Sequence, residues 1–188
     1  MNAAHANTSV VYLKTKERIR VLQHVMWYIK ADLSNGFRQF GTHPKDWIFQ
    51  VYCNGPDEHY IDLACPFGKT NSPMEFCPPV ALFAKSAAQR FSENVGGSPP
   101  NIASYDDIIG GFPHCPSYRR ACHFRKWMCD EGRALTVHFN ERPDKTPMPK
   151  KKQVMLGCLH DSVRKIVKTS DKKVLKYCAR IDEILSAA

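Results

Sequence analysis

Three aspartates stand out for what their setting demands. Asp106 and Asp107 are adjacent, inside Ala103-Ser104-Tyr105-Asp106-Asp107-Ile108-Ile109-Gly110-Gly111. Flanking β-branched residues predict a buried strand there, and the paired glycines predict a tight backbone or turn. Two anions beside a buried strand are costly unless a positive group meets them. The competing reading is an ordinary solvated Asp-Asp turn. Asp32, ending the apolar run from His24 to Leu33, supplies a third carboxylate. Three carboxylates brought together would need a positive group to face them. Asp32 also has a plainer reading, as the N-cap of a short helical turn.

Elements must bring these residues together. Val10–Leu22 reads as a helix, and His24–Leu33 as a strand followed by a Ser34-Asn35-Gly36 turn. Residues 47–64 predict a β-hairpin about Asn54-Gly55-Pro56-Asp57. Cys65–Pro73 is a loop, and Met74–Phe91 a helix that Pro78-Pro79 should kink or break. After the Asp-Asp strand, His114–Glu131 reads as a helix with Gly132 at C′, and Leu135–Phe139 as a short strand. Asn140–Lys152 is a Pro- and Lys-rich loop. Val154–Leu159 and Arg164–Val167 suggest a small hairpin, and Ser170–Ser186 a final amphipathic helix capped by Ser170. That order predicts an α+β fold, a split β-α-β antiparallel sheet of ferredoxin-like type with helices on one face.

Composition narrows the function. The 188 residues suit one domain with a sizeable core. Lys plus Arg number 27 against 18 Asp plus Glu, giving +9 and favouring polyanionic partners. Between Glu141 and Arg180 there are 12 basic and 4 acidic residues, which also fits a merely solvated face. The start lacks an apolar signal region and no run approaches a membrane span, so an intracellular protein, cytoplasmic or nuclear and without a membrane partner, is expected. The eight cysteines contain no C-x-x-C pair, which predicts reduced thiols. His114-Cys115 and Cys122-His123 do not have the spacing of a zinc finger.

The motifs together resemble reverse transcriptases. Asp32-Leu33-Ser34-Asn35-Gly36-Phe37 is similar to their motif A, and Pro66–Pro73 to the motif B loop. Ser104-Tyr105-Asp106-Asp107 stands where motif C belongs, with Ser104 in the place of the usual Tyr. Leu135–Lys145 resembles motif D, and Met155-Leu156-Gly157 motif E. Phe37-Arg38-Gln39 and His43-Pro44-Lys45-Asp46 look most like retrotransposon enzymes of the DIRS or LTR type.

The resemblance implies a polymerase palm over 24–168, a lead-in or remnant of the fingers over 1–23, and the start of a thumb over 169–188. It implies that Asp32 and Asp106 hold two Mg²⁺ ions (Mn²⁺ as substitute), with Asp107 supporting. Such an enzyme transfers dNTPs to a primer 3′-hydroxyl on an RNA or DNA template. Phe37 would be the steric gate, and the amides of Leu33, Ser34, Asn35 and Gly36 would meet the triphosphate. Phe67 and Gly68 would pass near nucleotide and template, and Lys145 would protonate the leaving pyrophosphate. With 31 residues before Asp32, most of the fingers is expected elsewhere, in a parent polyprotein or not at all. The alternative is a truncated relic without activity, acting at most as a nucleic-acid-binding domain.

Overall fold

Between residues 72 and 95, apolar side chains recur at three- and four-residue steps: Phe76, Val80, Phe83, Ala84, Ala87, Ala88 and Phe91. All seven are buried in one core cluster. Such a stripe wants a helix laid on a sheet. The structure, a computed structural model, describes residues 15–22, 24–66, 72–104, 107–155 and 157–186.

Helix α1 spans Thr15–Leu22; the earlier part of the expected helix lies outside the described residues. Strand β1 is Ile29–Asp32. Strands β2 (Val51–Cys53) and β3 (His59–Ile61) form a separate antiparallel hairpin. It begins later than expected, because Pro44–Gln50 is a 3-10 helix started by Pro44 and capped by His43. Helix α2 is Ser72–Val95.

Of the kink or break expected at Pro78-Pro79, the break does not occur: one helix runs through both prolines. The two prolines withhold donors from the Met74 and Glu75 carbonyls, costing about 3 kcal/mol or more each. Burying Phe76, Val80, Phe83 and Phe91 contributes roughly 6–12 kcal/mol at about 1.5–3 kcal/mol each. Packing of this size is enough to offset the local penalty.

The expected Asp-Asp strand is two strands, β4 (Asn101–Ser104) and β5 (Asp107–Gly111). The sheet order is β1-β5-β4, antiparallel throughout. Strand β5 thus lies between two strands joined through α2, the split β-α-β arrangement. Gly110 and Gly111 are strand residues rather than a turn, close-approach points for neighbouring backbone.

Helix α3 (Tyr118–Ala134) starts later than the sequence suggested, after Pro116, where the Ser117 hydroxyl accepts from the Arg120 amide. It also runs past Gly132. That glycine is buried inside the helix, and a Cβ there would lie 2.6 Å from the Phe139 ring and 2.7 Å from Val137 O. The strand expected at Leu135–Phe139 shrinks to one antiparallel bridge, Leu33 with Phe139.

Alternation along β1 assigns the faces. Ile29, Ala31 and Leu33 join Ile108, Phe112 and the buried sides of α2 and α3. Tyr28 and Ile109 instead pack with Leu22 of α1, Ala103 and Met155. Helices α2 and α3 therefore cover one face, while α1 reaches the other.

The expected C-terminal hairpin is a three-stranded antiparallel sheet, β6 (Lys152–Met155), β7 (Cys158–Asp161) and β8 (Ile166–Thr169). Its turn at Gly157 divides what had read as one strand. Helix α4 (Asp171–Ser186) follows Ser170 as expected, and none of its residues is buried.

Candidate active site

The register of β1 on β5 places Asp32 directly opposite Asp107. Residues so paired share a face and stand about 5 Å apart at the backbone. Both carboxylates are therefore on the face away from α2 and α3, at the end of the sheet. Lys30 lies two residues before Asp32 and so on that face too. Its Nζ is 3.1 Å from Asp107 Oδ2, with both side chains largely covered. On the other side, Lys145 Nζ is 3.9 Å from Asp32 Oδ2. Asn140 Nδ2 donates to the same Oδ2 at 3.4 Å.

A second layer holds Asp32 by its backbone. The Asp32 amide donates to Thr146 Oγ1, and Asp32 O accepts from the Asn140 amide. Thr146 is fully buried, and Arg125 of α3 donates to its carbonyl at 2.6 Å. This is how a loop without regular structure brings Asn140 and Lys145 to the end of β1.

The turn after Asp32 is closed by Gln39. Its Nε2 donates to Ser34 O (2.5 Å) and His138 O (2.6 Å), and its Oε1 accepts from the His138 amide at 2.8 Å. The Ser34 amide donates to His138 O, so that amide is already engaged. Asn35 takes a left-handed conformation (φ 50°) before the 3-10 turn Gly36–Gln39, as Asn tolerates in tight turns. It is Asn35, not Asp32, that stands at the cap position. Replacing Gln39 by Leu should destabilise the protein by about 1–3 kcal/mol, since partners within the fold lose their bonds together. Urea unfolding measures this; a change within about 0.5 kcal/mol would show that water replaces the amide.

Phe37 stacks on Phe76 of α2, centroids 4.4 Å apart and rings 25° from parallel. Gly36 passes so close that a Cβ would meet the Phe76 ring at 3.1 Å. The ring's position is thereby set by the core helix. Asp106, Tyr105, Phe67 and Gly68 lie outside the described residues. Among the described residues no three His, Cys, Asp or Glu side chains converge as a metal cluster.

Further out, Arg38 grips Asp62 with two hydrogen bonds of 2.6 and 3.0 Å, tying the site turn to the chain leaving β3. These bonds hold the Asp62 carboxyl below its ordinary value, aided by the Ala64 amide. A depressed folded pKa stabilises the protein above the unfolded value, about 3.9, and the gain disappears as pH falls through the folded value. The stability difference between the protein and Asp62→Asn should be flat above about pH 5 and shrink below about pH 4. Chemical denaturation across that range checks the sign; a difference growing with acid would contradict it.

Lys30 and Thr146 were not singled out from the sequence, and Gln39 was named only within the phrase Phe37-Arg38-Gln39. Lys30 had a usable signal, the two-residue period of a strand ending at Asp32. Thr146 had none, and for Gln39 the bonds to His138 had none, because those partners are about 100 residues away.

No family model and no curated protein matches the sequence. Solved structures do. A foamy virus protease-reverse transcriptase in complex with double-stranded DNA superposes with a TM-score of 0.69 at 16% identity, over 91% of this chain and 27% of that one. Native prototype foamy virus protease-reverse transcriptase gives 0.62 at 19% identity, over 90% and 20%. The foamy virus enzyme with an RNA/DNA hybrid gives 0.61 at 16% identity, over 88% and 20%. The chain thus spans about a quarter or less of these proteins. Its mixed α+β fold of antiparallel sheets and helices is structurally similar to a reverse transcriptase domain.

Proposed function

We propose that residues 24–168 are the palm of an RNA-directed DNA polymerase from a retroelement. Residues 1–23 would be a lead-in from the fingers, and 169–188 the beginning of a thumb. The observation that carries this is the pairing of Asp32 with Asp107 across two adjoining strand ends. It occurs in a fold similar to a reverse transcriptase domain.

The donor set fits a hard divalent cation. Asp32 and Asp107 offer carboxylate oxygens from one face, and neighbouring strands about 4.8 Å apart let two such groups serve one site. Asp32 and Asp106 would hold Mg²⁺ or Mn²⁺, with Asp107 supporting. When bound, such ions neutralise charge on phosphate oxygens and activate the primer hydroxyl.

The chain's own residues do the rest. Asp32 is fixed in place by Thr146 and Asn140 at its backbone. Lys145, 3.9 Å from Asp32 Oδ2, would give a proton to a leaving pyrophosphate. Phe37, braced by Phe76, forms the floor under the sugar and excludes a 2′-hydroxyl. Within the Leu33–Gly36 turn, Asn35 and Gly36 are the amides to meet the triphosphate, since Ser34's already serves His138. Phe67 and Gly68 are assigned to nucleotide and template by resemblance alone. The basic stretch from Lys150 to Arg180 suits the phosphate backbone of a primer–template.

Primer extension on an RNA template with dNTPs and Mg²⁺ tests the reading. Incorporation abolished by Asp106→Asn is expected; incorporation indifferent to that change overturns the site. One observation favours the relic alternative: each described carboxylate already faces a lysine. Salt-sensitive binding of primer–template with no incorporation would select that alternative.

A further inference from the structure

We propose that Lys30 is a positioning residue of this carboxylate face, whose ammonium holds Asp107 and weakens the face's uptake of a divalent cation. The inference rests on the cation-site reading of Asp32 given above.

The geometry is specific. Lys30 is opposite Ile109 in the register, so it reaches Asp107 along the diagonal, two residues down β5. At 3.1 Å the contact is a close ion pair. Relative exposure is 16% for the Lys30 side chain and 14% for that of Asp107, against 44% and 24% for Lys145 and Asp32. Of the two pairs, the Lys30 one is the shorter and the less screened by solvent.

The consequence follows from charge and from oxygen valence. Two described carboxylates on this face meet two lysine ammoniums. A cation arriving at Asp32 therefore finds the carboxylate across the strand pair, Asp107, already neutralised by Lys30. Asp107 Oδ2 is also held against the Lys30 ammonium, which leaves it less able to ligate. Lys145 differs: it sits on the exposed side of Asp32 at 3.9 Å and can swing away. A purely structural account would make Lys30–Asp107 only a staple between β1 and β5, with no effect on cation affinity.

Mn²⁺ titration of the whole chain, followed by the electron paramagnetic resonance signal of free Mn²⁺, separates these accounts. Lys30→Met should tighten Mn²⁺ binding by about tenfold, the change that one pairwise coupling of ordinary size produces. Lys30→Gln should act in the same direction, and Lys30→Arg should retain the wild-type affinity. In an Asp107→Asn background, Lys30→Met should change affinity by less than about twofold.

Unchanged or weaker binding in Lys30→Met and Lys30→Gln overturns the proposal. Equal tightening with and without Asp107 also overturns it, because Lys30 then acts as diffuse charge. Asp32→Asn distinguishes failure of the underlying reading: if Mn²⁺ binds no variant, or binds Asp32→Asn unimpaired, the cation site itself is wrong. Thermal melting of each variant shows that the fold persists.

Discussion

Asp32→Asn should lower nucleotide incorporation by at least about 10²–10³-fold, the loss typical of removing one preorganised electrostatic group. It should hardly affect stability. Asparagine keeps the shape, and its carbonyl oxygen can still accept from Asn140 Nδ2. The backbone bonds to Thr146 and Asn140 do not depend on the side chain. The ion pair lost is the longer, more exposed one with Lys145, worth about 0–1 kcal/mol. A melting temperature within about 2–4 °C of wild type is therefore expected, together with unaltered primer–template binding. Activity and melting measured on the same preparation make the comparison. Proportionate loss of both would mean that Asp32 serves the fold rather than a reaction.

Gly110→Ala should do the opposite, removing stability at its source. Gly110 sits on central strand β5, between Ile29 of β1 and Ile102 of β4. A Cβ there would lie 2.4 Å from the Asn101 carbonyl oxygen and 2.6 Å from Ile102 Cδ1. The Ile102 methyl can rotate away, but a backbone carbonyl moves only with its strand. Overpacking of this kind costs about 1–3 kcal/mol, and a backbone obstacle belongs at the upper end or beyond. Since Asp107 reaches Asp32 only through this register, loss of the sheet removes the site as well. Urea unfolding should show a reduction of about 3 kcal/mol or more, and a tolerated alanine would refute the crowding.

What could be read in advance divides along physical lines. Local periodicity gave α2, because its stripe at Phe76, Val80, Phe83 and Phe91 repeats within one helix. It did not show that the helix would continue through Pro78-Pro79, which depends on how much surface those residues bury elsewhere. Gly132 has a helix-ending residue type, but its position reflects Phe139 crossing above it. The strand expected at Leu135–Phe139 has suitable residues but only one bridging partner. For the site, motif order pointed to Asp32 with Asp106 and gave Asp107 a supporting part; the register sets Asp107 opposite Asp32, and Asp106 lies outside the described residues. Their counter-charges were not paired with them in advance: Lys145 was named for its motif and not as the partner of Asp32, and Lys30, two residues before Asp32, was passed over. The identity of the acids was written in the chain, while their electrostatic setting required the fold.

The single bridge between Leu33 and Phe139 has a consequence for how this edge opens. A full fourth strand would bind the loop bearing Asn140 and Lys145 into the sheet's cooperative unit. Here that loop is latched mainly by side chains, Gln39 at one end and Thr146 at the other. Latches release one at a time, so this margin forms a subunit of lower stability than β1 and β5. Native-state hydrogen exchange should find the Ser34 and Asn140 amides opening at lower free energy than those in the β1–β5 ladder. Lys145 then rides on a flap that can lift from Asp32 while the carboxylates stay in register.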